Sequence, residues 1–400
     1  MHNRDGTLMI NYPMQSMNHS IMFRKFHLII IALVLTCAPL QARTNTYSFG
    51  LGWNLGNQLD AHVNGVANET SWGNRMATQQ TFDSLRAMGF TSVRIPVTWL
   101  GHVGEAPTYT IDPAWMDRVE QVVNYAEKAG LRAIINIHHD GAESRFWLDV
   151  KNAAKDEVLN QRIKAQLHAM WTQIAERFKK KGYFLVFEVF NEVHDGKWGY
   201  GENCTDGGRQ YEVVNEWNQL FVDAVRATGG KNRKRYLGVS GYCTNIELTV
   251  NHFRIPTDKA KNRLLLSVHY YHPVDFTLEN RVDEWGHHAS KNQGKYVDEQ
   301  HVDETFNLLK THYVDKGIPV YIGEFGCTRR VDSTYEHYRK EYLHHVVSSA
   351  ARHGLSLFYW DNGSPGAGRE CSGIIDHSTG SFIGSGADIV RVMMEAYDND

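Results

Sequence analysis

The sequence predicts a single-domain α/β protein folded as a (β/α)8 TIM barrel, and three observations support that class. Eight short runs of β-branched and aromatic residues recur along the 400 residues, each bounded by glycine or by charged residues. Several of the intervening segments carry apolar residues at helical spacing. Strands that alternate with helices indicate a parallel sheet, and eight such rounds indicate a closed barrel with its functional site at the carboxyl ends of the strands.

The eight runs are the predicted strands of the barrel. In chain order they are Ser48–Gly56, Ser92–Val97, Arg132–Ile137, Phe184–Phe190, Arg235–Ser240, Leu264–His269, Val320–Gly323 and Leu355–Trp360.

Three of the predicted helices have clear ends, because a glycine is common just past the last turn of a helix. These helices are Trp115–Ala126 before Gly130, Ile163–Phe178 before Gly182, and Tyr338–Ala350 before Gly354.

An open, doubly wound sheet is the structural alternative, and it would carry a glycine-rich phosphate loop directly after a strand. The nearest candidate is the run Gly50–Gly56, whose third glycine comes one residue too late. That run also lies inside the first predicted strand, so the barrel is favoured.

Charge and composition argue against a nucleic-acid partner. The formal net charge is −3 and the isoelectric point is about 6.7. Basic clusters at Lys179–Lys181 and Lys231–Arg235 fall where helices end or strands begin, so they are interpreted as solvated helix ends. No repeat or Pro-rich linker divides the chain, and a monomer is expected.

The N-terminus has the pattern of a secretory signal. A basic patch, Phe23–His27, precedes the apolar run Leu28–Thr36, and Ala42 offers a small residue for cleavage. The apolar run is too short for a stable membrane span, so no transmembrane segment is expected. The predicted division is an N-terminal extension and signal at 1–42 and the barrel at 43–400, with export to the periplasm or the extracellular space. A lipid anchor at Cys37 is the less favoured alternative.

Four cysteines remain after such export, and none has zinc-ligand spacing. Cys204 and Cys243 follow neighbouring strands, as do Cys327 and Cys371, so two disulfides are geometrically possible. Four free thiols are the alternative.

Two predicted strands carry a glutamate at or near the carboxyl end, Glu192 after the fourth strand and Glu324 after the seventh. A carboxylate at the end of a buried strand is costly unless it is paired. Two of them facing each other across a barrel mouth suit acid-and-nucleophile cleavage of a glycosidic bond. Two unrelated structural glutamates, each with its own arginine, are the alternative. Glu188 lies an even number of residues before Glu192, so it is predicted to be a buried, paired, structural carboxylate.

Further polar and aromatic residues fall at the same strand ends. They are Asn57, Arg94, Trp99, His138–Asp140, Asn191, His269–Tyr271 and Trp360–Asn362. Sugar rings stack on Trp and Tyr, and their hydroxyls need His, Asn and carboxylate partners, so the set predicts a carbohydrate cleft.

A metal site at His138–Asp140 is a competing hypothesis. Adjacent residues of a strand point to opposite sides, so His138 and His139 are not expected to share one ion. No metal and no cofactor are therefore expected, and both histidines are assigned to sugar hydroxyls or to the acid carboxyl.

These motifs together resemble glycoside hydrolase family 5, the cellulase family, and especially its endo-β-1,4-glucanase and xyloglucanase branch. The resemblance spans Gly52 to about Gly363. The pieces that carry it are Gly52–Asn57, Trp72–Asn74, Val93–Trp99, Ile135–Asp140, Phe187–Glu192, His269–Tyr271, Ile322–Gly326 and Trp360–Asn362.

The resemblance implies a retaining endo-β-1,4-glucanase acting on cellulose-type, mixed-linkage or xyloglucan chains, with Glu192 as acid/base and Glu324 as nucleophile. It assigns Asn191 to the sugar 2-hydroxyl, Arg94 and Tyr271 to Glu324, His138 and His269 to the acid/base region, and Trp360 to the platform under the cleaved sugar. It also implies a non-proline cis peptide after Trp360. Val193 departs from the family's usual proline after the acid/base glutamate, and this proline supplies no group to the chemistry.

The chemistry requires opposite pKa shifts. Glu324 is expected to have a depressed pKa from cationic neighbours, and Glu192 a raised one from burial and the nearby charge. Two alternatives stay open, a β-mannanase or xylanase of the same fold and a non-catalytic polysaccharide-binding barrel.

Overall fold

The computed structural model describes residues 47–200, 208–290 and 298–398, and it confirms the predicted barrel. Eight parallel strands close on themselves in chain order, the first strand pairing with both the second and the eighth. The strands are β1 (Leu51–Leu55), β2 (Ser92–Ile95), β3 (Arg132–Ile135), β4 (Leu185–Glu188), β5 (Leu237–Ser240), β6 (Leu264–Tyr270), β7 (Val320–Phe325) and β8 (Ser356–Asp361).

One main helix follows each strand. These helices are α1 (Gln79–Ala87), α2 (Pro113–Ala129), α3 (Glu157–Arg177), α4 (Arg209–Ala227), α5 (Ile246–His252), α6 (Glu299–His312), α7 (Glu336–Arg352) and α8 (Gly386–Asp398). Single helical turns at Val150–Ala153 and Val274–Thr277 and a small hairpin, His62–Val63 with Val66–Ala67, decorate the loops. Across the described ranges, no helix combines the length and apolar character that a membrane crossing needs.

Two of the three predicted helix ends are confirmed. Gly130 caps α2 in the left-handed conformation, and Gly354 follows the last residues of α7 at φ 70°. The prediction for Gly182 is wrong, because α3 already ends at Arg177 with Phe178 as its C-cap. Phe178 is fully buried, so tertiary packing ends this helix before the glycine is reached.

The core has two parts, as a barrel requires. The larger part lies between the strands and the surrounding helices. The smaller fills the amino-terminal half of the barrel interior and consists of Phe49, Ile134, Val186, Leu265, Tyr321 and Phe358. Polar side chains stand two residues further along β4 and β6, at Glu188 and Ser267, so the interior changes from apolar to polar toward the carboxyl ends.

The basic segment Lys231–Arg235 is not simply a solvated helix end, because Arg235 is fully buried. Its guanidinium donates to the backbone oxygens of Phe178, Lys181, Gly182 and Leu185 and to Asn232 Oδ1. Burial lowers the pKa of Arg235 to about 10. This side chain therefore joins the end of α3 to the start of β4.

The Cys327–Cys371 bridge, which the sequence left open, does not form, and both residues are free thiols. Cys327 accepts from Arg330 and Cys371 accepts from Ser364, each at 3.4 Å. Cys243 is a buried free thiol, and its proposed partner Cys204 lies outside the described residues. The predicted signal segment and Cys37 also lie outside them.

Candidate active site

Arg94, at the end of β2, is the centre of the polar network at the barrel mouth. Its side chain is fully buried and donates to Glu188 at 2.9 Å, to Glu324 at 2.7 Å, to Asn191 at 2.9 Å and to Asn54 at 3.1 Å. Although burial opposes it, the two carboxylates raise the pKa of Arg94 above its already high value. One permanent cation thus positions four groups that come from three strands or their ends, β1, β4 and β7.

Glu188 lies beneath the mouth and is fully buried, as the sequence predicted. Besides Arg94 it accepts from Asn136 Nδ2, Ser267 Oγ and Tyr321 OH, each at 2.8 Å. Burial alone would raise the pKa of Glu188, but Arg94 and these donors hold it below its usual value. Glu188 is therefore an anion that fixes the arginine from below.

A β-bulge in β7 aims Glu324 into the mouth. Tyr321 points inward to Glu188, so strict alternation would place Glu324 on the helix side. The register with β6 shifts between Val268, opposite Ile322, and His269, opposite Glu324, which leaves Gly323 as the extra residue. A Cβ on Gly323 would lie only 3.0 Å from His269 Nε2, so glycine lets the bulge sit against the histidine.

Glu192 and Glu324 come together as predicted, with His269 beside both. His269 Nδ1 lies 2.6 Å from Glu192 Oε1 and 3.8 Å from Glu324 Oε2. One oxygen of each carboxylate lies within 4.8 Å of one of the other. Tyr271 OH donates to Glu324 Oε2 at 3.1 Å, as expected. Both carboxyl groups are largely buried, Glu192 less than Glu324.

The pKa shifts in the unliganded site are opposite to those expected from the sequence. Burial raises the pKa of Glu324, although His269 and Arg94 oppose it. Burial also acts on Glu192, yet the charge and hydrogen bond of His269 bring the pKa of Glu192 below its usual value. The reason is position, because His269 contacts Glu192 directly and lies farther from Glu324.

Glu324 also forms an ion pair with Arg94, whose Nη1 lies 2.7 Å from Glu324 Oε1. The guanidinium keeps its charge at any working pH, so this contact favours the ionised form of Glu324.

His138 stands at the mouth as a neutral donor. Asn136 Nδ2 lies 3.1 Å from His138 Nδ1, which leaves the proton on Nε2, 3.9 Å from Glu324 Oε1. Burial, reinforced by nearby positive groups, lowers the pKa of His138 well below its usual value. The imidazole therefore acts as a hydrogen-bond donor and not as a cation.

Trp360 lies at the mouth, but the expected cis bond after it is wrong. The bond between Trp360 and Asp361 is trans, since both cis bonds in the described residues precede proline. Both residues continue the regular ladder with β1, where Trp360 pairs with Asn54. One argument for Trp360 as a platform is thereby lost, although its half-buried ring remains parallel to His138, 5.9 Å away.

Two predicted site residues lie at the rim. Asn57, at φ 55°, donates its backbone N–H to Asp60 Oδ2 and accepts from Asn74 Nδ2 through its backbone oxygen. His139 lies 3.5 Å from Asp60 and packs its ring against Trp72. Both are therefore placed away from the carboxylate pair.

The alternation argument against a shared metal does not hold for His138 and His139. The strand β3 ends at Ile135, and the backbone at His138 is not extended. Nitrogen atoms of both rings and an oxygen of Asp60 consequently lie within 4.8 Å of one another. His138 Nε2 carries a proton in this arrangement, which disfavours ligation by that atom.

Four supporting residues were not predicted as part of the site. They are Asn54, Asn136, Ser267 and Tyr321, all buried. A usable signal existed for Ser267, which stands two residues before His269 in the same strand and so shares its face. Tyr321 gave no such signal, because the bulge breaks the alternation between it and Glu324.

Comparison with known proteins agrees with this geometry. The profile of the family described as "Cellulase (glycosyl hydrolase family 5)" matches residues 57–366. Endoglucanase A of Paenibacillus barcinonensis is 39% identical over 345 residues, covering 82% of this chain and 84% of the relative. A xyloglucan-specific endo-β-1,4-glucanase of Bacteroides ovatus is 38% identical over 328 residues, covering 78% and 63%.

Solved structures give the same result. A broad-specificity endoglucanase of subfamily GH5-4 from Bacteroides salanitronis superposes with a TM-score of 0.85 at 55% identity, covering 90% of this chain and 97% of that one. The family match at 57–366 includes both carboxylates of the pair, Glu192 and Glu324. The chain belongs to glycosyl hydrolase family 5, the cellulase family, and is a glycoside hydrolase.

Proposed function

We propose that this chain is a retaining endo-β-1,4-glucanase in which Glu324 is the nucleophile and Glu192 the acid/base. The observation that carries the proposal is that one carboxylate oxygen of Glu192 and one of Glu324 lie within 4.8 Å of each other. Retaining enzymes hold these groups about 5–5.5 Å apart, whereas inverting enzymes leave roughly 6.5–9.5 Å for a water molecule.

In the first step, Glu324 attacks the anomeric carbon and forms a glycosyl ester. Glu192 gives its proton to the glycosidic oxygen, so the bond to the leaving chain breaks with its electron pair on that oxygen. In the second step, Glu192 takes a proton from water, and the resulting hydroxide attacks the anomeric carbon and releases Glu324. Two inversions at one carbon give net retention.

The surrounding contacts suit these roles. Arg94 donates to Glu324 Oε1 and Tyr271 donates to Glu324 Oε2, and both hydrogen bonds favour the anion and orient the carboxylate. Asn191 accepts from Arg94 through Oδ1, which leaves its Nδ2 group to donate to the sugar 2-hydroxyl. His269 Nδ1, 2.6 Å from Glu192 Oε1, orients the Glu192 carboxyl group.

The protonation of Glu192 follows the charge on Glu324. While Glu324 is an anion, its charge favours the protonated form of Glu192. When Glu324 becomes a neutral ester, that charge is gone and Glu192 loses its proton more readily. The same group therefore serves as acid in the first step and as base in the second.

The proposed substrate is a β-1,4-glucan chain. The proposal includes mixed-linkage glucan and branched xyloglucan as substrates. Relatives named for both endoglucanase and xyloglucanase activity support it. Exposed aromatic rings at Trp72, Trp198 and Tyr200 give a chain further surfaces on which to stack.

A kinetic experiment with an activated aryl β-cellobioside tests the roles. Glu324→Ala should abolish turnover on every substrate. Glu192→Ala should form the ester from the good leaving group and then stall, and added azide should restore turnover and yield a β-glycosyl azide. If Glu324→Ala with azide gave the β-glycosyl azide instead, the two roles would be exchanged, whereas an α-glycosyl azide from that variant is the single inversion expected when azide replaces the missing nucleophile.

A substrate panel tests the specificity and the two alternatives. Reducing ends should appear from carboxymethylcellulose, lichenan and xyloglucan. Faster release from mannan or xylan would replace the glucanase proposal with a mannanase or xylanase. Binding without release from any of the five would favour a non-catalytic carbohydrate-binding barrel.

We also propose that residues 1–42 are an export signal and that residues 43–400 form a monomeric, exported catalytic domain. The basic and apolar runs before Ala42 support export. N-terminal sequencing of the secreted product should place its first residue close to Arg43. Retention of Leu28–Thr36 in the mature chain would contradict a cleaved signal.

A further inference from the structure

A histidine-rich corner on the loop between β6 and α6 takes no part in the contacts of the catalytic centre. His287 Nδ1 lies 3.1 Å from Glu299 Oε1, and the backbone N–H of His287 donates to Glu299 Oε2 at 3.0 Å. One ligand atom from each of His287, His288 and Glu299 lies within 4.8 Å of those of the other two. Two imidazoles and a carboxylate thus converge on one place at the surface.

The backbone leaves room between these groups. Gly286 has φ 98°, and a Cβ at this position would lie 3.1 Å from Glu299 Oε1 and 3.5 Å from His288 Nδ1. Any other L-residue would fill that space with its side chain. The glycine therefore leaves a small opening bordered by a carboxylate oxygen and an imidazole nitrogen.

A second carboxylate stands behind His288. Glu341 Oε2, from α7, lies 3.3 Å from His288 Nε2. A carboxylate at this distance favours the proton on Nε2 and leaves the lone pair on Nδ1, which faces the opening. A carboxylate behind a histidine ligand is the usual outer shell of a zinc-bound imidazole.

We propose that His287, His288 and Glu299 bind a divalent transition-metal ion of the Zn²⁺ type, with water completing the coordination. Imidazole nitrogen and carboxylate oxygen are ligands that Zn²⁺ accepts, whereas Ca²⁺ and Mg²⁺ require oxygen alone. Bonds of about 2.0–2.2 Å need the ligand atoms to approach somewhat. His287 and His288 are largely exposed, so side-chain rotation supplies this movement.

The ion would have a structural role. Glu299 is the first residue of α6, and the two histidines precede it in the β6–α6 loop. A shared ion ties the start of the helix to the loop before it. None of the three ligands contacts Glu192 or Glu324, so hydrolysis itself does not require the ion.

Calorimetric titration of the untagged chain with ZnCl₂ tests the site. We expect one tight equivalent in the wild type, lost in His287→Ala and His288→Ala. Glu341→Gln should weaken binding about tenfold or more, as the loss of an outer-shell partner does. His168→Ala, which removes an exposed histidine of α3, should bind as the wild type does.

Two further sets of residues in the described chain could attract zinc, Asp60 with His138 and His139, and Glu192 with His269 and Glu324. The Glu192→Gln variant alters one of these other sets, so it should still bind one equivalent of Zn²⁺ tightly. Bound Co²⁺ should give visible absorption in the wild type and none in His288→Ala. The loaded wild type should melt a few degrees higher than the metal-free chain, and His288→Ala should retain basal hydrolysis. Tight binding that survives in His288→Ala, or that disappears in Glu192→Gln, would overturn the proposal.

Discussion

Arg94 forms ion pairs with two carboxylates that have different roles, Glu324 at the mouth and Glu188 below it. The guanidinium of Arg94 is planar and keeps its charge. Glu188 accepts from its Nε and fixes its position from below, while Glu324 accepts from Nη1. Glu188 is therefore a positioning residue for the reaction, although it touches no reacting atom.

Replacing Glu188 with Gln tests this role. The neutral amide removes one of the two charges that hold Arg94, so we expect kcat to fall roughly 100-fold through misplacement of Glu324. The unfolding free energy should fall by roughly 3 kcal/mol, since a buried ion pair loses one member. Tyr321→Phe is the matched control, because it removes one hydrogen bond to Glu188 and leaves the ion pair intact. Equal losses in both variants would contradict the positioning role.

His269 controls the protonation of Glu192, and its replacement should be visible in a pH profile. The histidine lowers the pKa of Glu192, and Glu192 must be protonated to act as the acid. Removing the histidine in His269→Gln should therefore raise that pKa and move the alkaline limb of kcat/KM to higher pH. The pH profile reports the linked titration of Glu192 and Glu324, so the acidic limb should also move. This movement should be smaller, because His269 lies farther from Glu324 than from Glu192. An alkaline limb that moves to lower pH would contradict this assignment.

At the scale of elements, the bulge in β7 decides where the predicted nucleophile points. The sequence predicted the strand and its glutamate correctly. It could not predict that Gly323 is an extra residue, because a bulge has no signature beyond a glycine in a strand. A regular β7 would turn Glu324 toward the helices.

Gly323→Ala should disturb the bulge. The new Cβ would lie 3.0 Å from both His269 Nε2 and Ser267 Oγ, so one of these side chains must move. We expect a loss of about 1–3 kcal/mol in unfolding free energy and roughly 100-fold in kcat. Gly182→Ala is the control, since its Cβ would meet only Phe184 at an ordinary 3.5 Å. Wild-type activity in Gly323→Ala would show that the bulge has no part in catalysis.

The link between α3 and β4 depends on Arg235. Its removal in Arg235→Leu would leave several buried carbonyl oxygens without a donor, each at a cost of about 1–3 kcal/mol. Denaturant unfolding should show a total loss of roughly 3–5 kcal/mol. Arg233→Ala, an exposed residue of the same segment, should change stability by less than about 0.5 kcal/mol. Similar unfolding midpoints for the two variants would mean that the carbonyl contacts contribute little.

At the scale of the whole molecule, periodicity was enough to predict the barrel, because each strand and helix buries a face that the sequence marks. The paired glutamates, Arg94 and Tyr271 also came from the sequence, since strand ends meet at one mouth. The sequence did not predict which of Glu192 and Glu324 has the lower pKa, because this depends on His269 contacting Glu192 more closely than Glu324. The prediction that His138 and His139 point to opposite sides of a strand was also wrong, because the strand ends before them and alternation no longer applies.

The central claim is net retention at the anomeric carbon through an ester on Glu324. Proton NMR of cellohexaose during the first minutes of hydrolysis tests it most directly, because the new reducing end keeps its configuration until mutarotation mixes the anomers. A retaining site with carboxylate oxygens within 4.8 Å predicts that the β-anomer appears first and the α-anomer follows with the rate of mutarotation. An α-anomer that appears first would mean direct displacement by water and would contradict the mechanism.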